Sequence, residues 1–478
     1  MASIAILGGG FSGSLLALKL HAAAPGLDIV LVERGAETGK GVAYGCCDSR
    51  HLLNVPVHRM ELGLDVSFID WLRADEARLS SLSREAGGAL EDAFAPRALF
   101  GAYLHEKMNE AVSASGGGLV LVRGEAVEIE AGRLVTVRLR DGRVLQVDRV
   151  VLALGHLPPR LPTSFESPVY SSPRYVPDPW EKGALDGIGP DEPVVMIGSG
   201  LTMVDVALHL ARRGHKGSLT ALSRRGHLPQ VHRGGGVWPA LVLPADRSPR
   251  SLVRFLRAEA ARAEAAGVPW QRVADAARPA AASLWQGWTA PERALFLRHL
   301  RPWWDMHRHR MAPEVAEALA DMEASGQLQV QGGRIEALDL HPAGVELRYR
   351  PRGQKAAASL HAAHIVNCTG PNMSIGRTGE PLILSLTRQN LLKEDPLGLG
   401  LETDDCAVID GYGWPSKWLF ALGPLTRPSL WEVTAVPEIR VQVERLAQRL
   451  AGTAQAACLV PQPRHALAAA FADLGAGI

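Results

Sequence analysis

Cysteine is scarce in this chain and poorly placed for redox or metal chemistry. Only five occur in 478 residues, Cys46, Cys47, Cys368, Cys406 and Cys458, and no two are spaced Cys-x-x-Cys. That excludes the usual zinc-ribbon spacing and the thiol relay of disulfide reductases, and makes a reducing compartment the simpler expectation. The adjacent pair Cys46-Cys47 could close only a strained ring, so both read as ordinary small residues. An excess of charge is also missing. Lys and Arg total 51 against 50 Asp and Glu, a net charge of +1, so no global field draws the chain to nucleic acid or anionic lipid. Every hydrophobic stretch is broken by Gly, Pro or charge well before about 18 residues, and no basic segment precedes an apolar one at the N-terminus. The expectation is a soluble cytoplasmic protein. What is plentiful is glycine, 49 residues, in a chain that is 47% hydrophobic and 21% charged. Its length corresponds to about three domain-sized units rich in tight turns.

The first of those turns lies near the N-terminus. Ser3 to Leu7 is a short apolar run, followed by Gly8-Gly9-Gly10-Phe11-Ser12-Gly13 and then by a helical stretch, Ser14 to Ala24. In the pattern G-x-G-x-x-G, Gly8 serves the turn, Gly10 lets the backbone approach a pyrophosphate, and Gly13 lets helix and strand pack closely. The helix N-terminus then offers free N–H groups and a positive dipole end to the phosphates. A second strand, Asp28 to Val32, ends in Glu33, where a carboxylate can accept both hydroxyls of an adenosine ribose. A glycine-rich turn can also be a plain βα connection, but here strand, helix, second strand and terminal acid follow in order. Phe11, Ser12, Arg34, Gly41, Met60 and Gly155 complete the candidate set for this cofactor.

The unit repeats downstream. Pro193 to Ile197 is an apolar strand, Gly198-Ser199-Gly200 a glycine turn, Leu201 to Arg213 a helical stretch, and Ser218 to Leu222 a second strand. Gly10 to Glu33 is 23 residues, and so is Gly200 to Ser223, so Ser223 stands where Glu33 stood. Arg224 and Arg225 follow. A carboxylate at that position would repel a ribose 2′-phosphate, whereas guanidinium groups bind one, which favours NADPH over NADH. The alternative is a solvated strand end. Met203 replaces the third glycine, and a bulky side chain there should hold helix and strand apart and loosen the site, whose remaining candidates are Gly198, Gly200, Leu201 and Thr202. One strictly specified site and one looser site suggest a resident flavin and a visiting nicotinamide. The strands Arg149 to Leu154 and His364 to Cys368 look like the places where the chain passes between domains.

Between these landmarks lies an aromatic segment. Trp270, Trp285, Trp288, Trp303 and Trp304 fall within 35 residues. They could line a pocket, or form a packing core. Thr289-Ala290-Pro291-Glu292 reads as a capping box opening a helix that Pro302 closes. Arg250 to Ala266, opened by Ser248-Pro249, reads as a helix with a solvated charged face. The run His307-Arg308-His309-Arg310 lacks partner ligands at metal spacing, so no metal is expected. Anion recognition and a solvated helix approach are the two readings that remain for it, with His307, Arg308 and Arg310 as candidate substrate contacts.

Several motifs together resemble one bacterial group of two-dinucleotide-domain flavoproteins, over nearly the whole chain. They are Gly39-Lys40-Gly41-Val42-Ala43-Tyr44, His51-Leu52-Leu53-Asn54-Val55-Pro56 with Met60, Pro96-Arg97 with Gly101 and Tyr103-Leu104, and Gly198 to Asp205. Trp304 to Arg310, and Leu422-Gly423-Pro424-Leu425-Thr426 with Trp431-Glu432, look like the same group. It contains FAD-dependent urate hydroxylases and aspartate N-monooxygenases. The resemblance implies that Gly8, Gly10, Gly13 and Glu33 hold FAD, that Asn54, Met60 and Arg97 lie near the flavin ring, and that Met203 is usual. Gly423-Pro424 departs from the wider class, in which many members carry Gly-Asp to hold the ribityl chain.

The expected fold is α/β, with two doubly wound Rossmann-like domains, the second inserted into the first. Residues 1–165 and 366–478 form the FAD-binding domain, and 166–365 the NADPH-binding domain, with a helical insertion over 235–325. The leading expectation is an NADPH-consuming flavin monooxygenase acting with O2 on a small polar or anionic substrate, of urate or amino-acid type. The alternatives are a reductase serving a quinone or protein partner, and a non-catalytic FAD-binding sensor or scaffold.

Overall fold

The computed structural model of the chain describes residues 2–45, 48, 51–83 and 88–458, so Cys46 and Cys47 lie outside the described residues. The chain divides into two compact units: 1–50, 56–157 and 373–478 form one, and 51–55 and 158–372 the other. Each is an α/β unit on a largely parallel sheet, the expected fold class. The crossings fall at 157/158 and 372/373 rather than at 165/166 and 365/366. Strand His364–Asn367 pairs along its length with Val194–Ile197, so a boundary inside it would cut the second sheet. The excursion of residues 51–55 into the second unit has no counterpart in the expectation.

The first unit is built on a seven-stranded sheet. Its order is Thr403–Asp404, Ala407–Ile409, Pro415–Ala421, Arg149–Leu152, Ser3–Leu7, Asp28–Glu33 and Leu119–Arg123. The last five are parallel, and the first two strands make an antiparallel edge. Ser3–Leu7 is buried throughout. Both faces of a parallel sheet are covered, which is why this strand reads as an unbroken apolar run. Parallel neighbours require a crossover, and helix Phe11–Ala23 supplies the one from Ser3–Leu7 to Asp28–Glu33. A separate antiparallel meander, Ala126–Glu130, Val135–Leu139 and Val144–Val147, adds Val137, Leu145 and Val147 to the core that holds Leu7 and Leu152.

The second unit has its own seven-stranded sheet, in the order Ala358–Ala362, Gly344–Pro351, Leu328–His341, Leu219–Ser223, Val194–Ile197, His364–Asn367 and Tyr175–Val176. Leu328–His341 pairs in parallel with Leu219–Ser223 through its first residues and antiparallel with Gly344–Pro351 beyond them. Helix Pro313–Ala324 leads into that strand, and its Leu319 and Met322 join the core of the sheet. This helix is therefore the crossover that parallel pairing demands, and the helical insertion ends before it rather than at 325.

The rest of the insertion is ordered. Pro249–Ala265 forms a helix capped by Ser248, which accepts from the Ser251 N–H at 3.4 Å. The Thr289–Glu292 capping box opens helix Ala290–Leu295. Pro302 does not close the helical path. A π-helical turn, Phe296–Leu300, leads directly into helix Arg301–Arg308, where Pro302 occupies the first turn. No N–H is needed there, so proline fits. Trp285 is 1% exposed and packs edge-on against Trp288 and Phe296, which makes this part of the tryptophan cluster a packing core.

Candidate functional site

The glycine turn of the first unit is held by backbone contact on three sides. Gly8 has φ +105°, and a Cβ there would fall 2.4 Å from the Ala153 carbonyl. A Cβ on Gly13 would fall 1.9 Å from the Gly8 carbonyl, so helix Phe11–Ala23 lies directly on the turn. A Cβ on Gly10 would lie 3.5 Å from the Gly41 Cα, so the loop carrying Gly41 roofs the turn. Glu33 ties the turn to the end of its strand: Oε2 accepts from the Gly9 N–H and Oε1 from the Gly35 N–H, both at 2.6 Å. A carboxylate has about four acceptor sites, so capacity remains for ribose hydroxyls.

These elements enclose a cavity of about 460 Å³. Gly8, Gly10, Phe11, Ser12, Glu33, Arg34, Gly41 and Gly155 all line it. Gly13 does not, in keeping with its packing position. Met60 is 1% exposed and lies away from the lining. Arg97, the first residue of helix Arg97–Ala114, is 8% exposed and also off the lining. Its charge reaches the cavity through Tyr44, a lining residue: burial pushes the Tyr44 phenol up, and Arg97 opposes that shift. Asn54 belongs to the second unit, where its carbonyl is 2.8 Å from His232 Nε2.

His156 and Pro424 also line this cavity. Sequence reasoning missed His156, although its position beside Gly155 at the end of a core strand was a usable signal. Burial, and then the Arg427 charge, push its imidazole down to about 4, so it is neutral near pH 7. Its Nδ1 is buried without a hydrogen-bond partner. At Gly423-Pro424 the Gly423 N–H donates to Gln442 Oε1 at 2.8 Å, and the proline offers neither a donor nor a carboxylate. The cavity thus combines a glycine cradle at a helix N-terminus, an acceptor-rich glutamate and an unsatisfied neutral imidazole, a donor set that fits a dinucleotide.

The second unit repeats the arrangement with different chemistry. Gly198 has φ +117°, and a Cβ there would fall 2.3 Å from the Cys368 carbonyl, as Gly8 stands to Ala153. Met203, where the first unit has Gly13, is fully buried in the core that also holds Val194 and Met196. A Cβ on Gly200 would meet nothing within 4 Å, so this turn has no roof. Leu201 and Thr202, the first helical residues, are partly exposed beside it. Ser223 bridges as Glu33 does. Its Oγ lies 2.8 Å from Ser199 Oγ and accepts from the Gly226 N–H at 2.9 Å, while Ser199 donates to the His227 carbonyl at 2.6 Å. Arg224 is exposed, and Arg225 is half-buried.

In the insertion the run at 307–310 turns inward. Arg310 is 1% exposed, and its guanidinium reaches Asp275 Oδ1 at 2.5 Å and the Gln271 carbonyl at 3.2 Å. It is committed to holding the insertion together, which corrects its reading as a substrate contact. Arg308 is 6% exposed. His307 Nδ1 lies 2.7 Å from the Trp303 carbonyl, and its ring packs on Trp270 at 4.8 Å. Among the described residues no helix is long and apolar enough to cross a membrane.

Residues 5–157 match a family described as FAD-NAD(P)-binding. An uncharacterised protein of Mycobacterium tuberculosis is 23% identical over 96% of this chain and 97% of its own. L-lysine 6-monooxygenase from Pseudomonas syringae has a similar structure, with a TM-score of 0.63 at 17% identity over 94% of this chain and 98% of that one. Ornithine N-hydroxylase from Kutzneria sp. 744 gives 0.61 at 15% identity over 94% and 99%. At these identities the likeness is one of fold, over nearly the full length of each chain.

Proposed function

We propose that this chain is an FAD-dependent, NADPH-consuming monooxygenase that hydroxylates a small amine or amino-acid-type substrate. The observation that carries the reading is the asymmetry of the two turns. One is roofed and opens on a cavity of about 460 Å³ with a carboxylate at the ribose position. The other is open, with serine and arginine in place of the carboxylate. The first suits a cofactor that stays, and the second one that comes and goes. FAD, when bound, would take two electrons from NADPH and deliver them to O2.

The chain's own part is binding, orientation and exclusion of water. Gly8, Gly10 and the N-terminus of helix Phe11–Ala23 would hold the pyrophosphate, and Glu33 the adenosine ribose. Arg97 would set the charge beside the cavity. The two described buried cysteines offer no thiol outlet for the electrons. Cys368 and Cys406 are buried, and burial pushes both thiols up, Cys406 to about 11. Thiolate is the reactive form, so neither is poised for exchange. The fold shared with a lysine 6-monooxygenase and an ornithine N-hydroxylase supports an amine over a urate-type substrate. His307 and Arg308 remain our candidates for substrate contact, in a cytoplasmic protein without nucleic-acid or membrane partners.

The test is a screen of the yellow holoenzyme against lysine, ornithine, aspartate, small diamines and urate. It follows NADPH oxidation, O2 uptake, peroxide release and hydroxylamine formation. The expected result is slow, peroxide-releasing oxidation alone, and faster oxidation yielding hydroxylamine with one amine. Fast reduction of a quinone with no hydroxylated product from any compound would overturn the reading in favour of a reductase.

A further inference from the structure

The open turn of the second unit is flanked by two arginines and an indole from three distant parts of the chain. Gly226 has φ +65°, and a Cβ there would fall 2.9 Å from the Gly332 N, so the segment after Ser223 lies against strand Leu328–His341 at Gly332. On the other side the Arg352 N–H donates to the Gly332 carbonyl at 2.8 Å. The same point on that strand therefore anchors Arg225, His227 and Arg352. The insertion closes the group: Arg225 Nη2 lies 3.5 Å from the Arg298 carbonyl, and the Trp303 ring is tilted against the His227 ring at 4.5 Å.

The pairing of charges along the neighbouring hairpin separates this cluster from an ordinary solvated surface. Arg348 pairs with Asp339 at 3.3 Å and Arg350 with Glu336 at 2.6 Å. Arg352, in the turn just past the end of that strand, has no carboxylate within ion-pair distance among the described residues, and neither does Arg225. The His227 ring is pushed below the ordinary histidine range by burial and by the Arg352 and Arg225 charges. Ser199 and Ser223 put hydroxyl groups, not a carboxylate, at the centre of this ring. Two uncompensated guanidiniums beside hydroxyls suit a phosphate monoester, and a 40% exposed indole beside them suits a purine face.

Resting on the reading of this unit as the nicotinamide-nucleotide site, we infer that Arg352 and Trp303 are specificity-determining residues: Arg352 joins Arg225 on the ribose phosphate, and Trp303 with His227 carries the adenine. Among the described residues Arg224 makes no contact with His227, Arg298 or Gly332, and we leave it outside the site. The helical insertion thereby contributes a wall to the nucleotide site as well as a domain of its own.

The experiment uses the FAD-loaded full chain and calorimetric titration with two probes, adenosine 2′,5′-bisphosphate and ADP. Flavin reduction by NADPH and NADH is followed in parallel. Wild type should favour the bisphosphate. Arg352→Ala should weaken it about tenfold or more and leave ADP within about twofold. Arg224→Ala should leave both within about twofold. Trp303→Ala should weaken both probes by a similar factor, because the adenine is common to them. Arg352→Lys should recover part of the loss, since charge is kept and the bidentate fork is not. Arg352 is exposed, and unchanged melting of each variant verifies the fold. If NADPH reduces the flavin but Arg352→Ala leaves the preference intact, or Arg224→Ala removes it, this inference is wrong while the proposed function stands. If wild type binds neither probe and neither nucleotide reduces the flavin, both fall.

Discussion

Replacing Gly10 with alanine separates cofactor binding from folding. Gly10 has φ −69°, which any L-residue adopts, and the added methyl would meet only the Gly41 backbone, its Cα at 3.5 Å and its N at 3.9 Å. The apoprotein should therefore tolerate it, and the lower entropy of its unfolded chain adds about 0.4–1 kcal/mol. The methyl would stand in the gap between two glycine backbones that both line the cavity, where a phosphate has to approach the helix N-terminus. Losing one charge-assisted hydrogen bond there costs about 1.5–3 kcal/mol, which raises the FAD dissociation constant by roughly 10- to 150-fold. Gly13→Ala is the contrasting case. Its Cβ would lie 1.9 Å from the Gly8 carbonyl, so helix and turn must part by at least about 1.1 Å to reach the 3.0 Å floor for such contacts, and the fold itself should weaken. The assay is thermal melting of each apoprotein together with fluorescence titration of FAD. Wild-type FAD affinity in Gly10→Ala would show that no phosphate lies there. Equal melting losses in both variants would show that the turn, not the ligand, needs this glycine.

Three further outcomes are expected. Glu33→Gln leaves one oxygen where two backbone N–H groups now find acceptors, so FAD affinity should fall about tenfold, and an unchanged titration would remove Glu33 from the ribose. The folded His156 imidazole, at about 4, lies below its unfolded value of 6.5, so the unfolded chain takes up the proton first as pH falls. Its contribution should be complete above pH 6.5 and lost progressively down to about pH 4, by up to roughly 3 kcal/mol. Urea midpoints of the apoprotein should show this slope, and His156→Phe should flatten it. Asp275→Asn leaves the buried Arg310 guanidinium without its carboxylate, at a cost of about 3–5 kcal/mol. Hydrogen exchange should then rise across the insertion while FAD is retained, and loss of FAD would show the two units to be more tightly coupled than this predicts.

The two nucleotide turns were legible because their information is local. A run of buried residues, glycines at fixed spacing and a strand-end residue 23 positions on are all visible within 35 residues, and of the ten residues picked for the first site eight line the cavity, Gly13 packs behind it and Met60 lies off it. Elements whose reason is tertiary were not. Helix Pro313–Ala324 looks from its sequence like one more piece of the insertion, and only parallel pairing of Leu219–Ser223 with Leu328–His341 makes it a crossover. Pro302 is as good an opener as a closer, and the π turn before it decides which. Arg310 reads as a surface cation because its partner, Asp275, is 35 residues away. Arg352 carried no signal at all, being brought to Ser223 by sheet register rather than by spacing.

The five residues 51–55 give the molecule an unusual connectivity. The polypeptide leaves the first unit after 50, returns at 56, leaves again after 157 and returns after 372, so four peptide links join two bodies. No single nick can release either one. A protease that cuts one exposed loop would leave a product of undiminished mass under native conditions, visible as fragments only after denaturation. The same connectivity bears on inheritance: a recombination event that exchanged 158–372 alone would import a second unit lacking its own 51–55 segment. Grafts between such chains should therefore carry the pentapeptide and the long segment together.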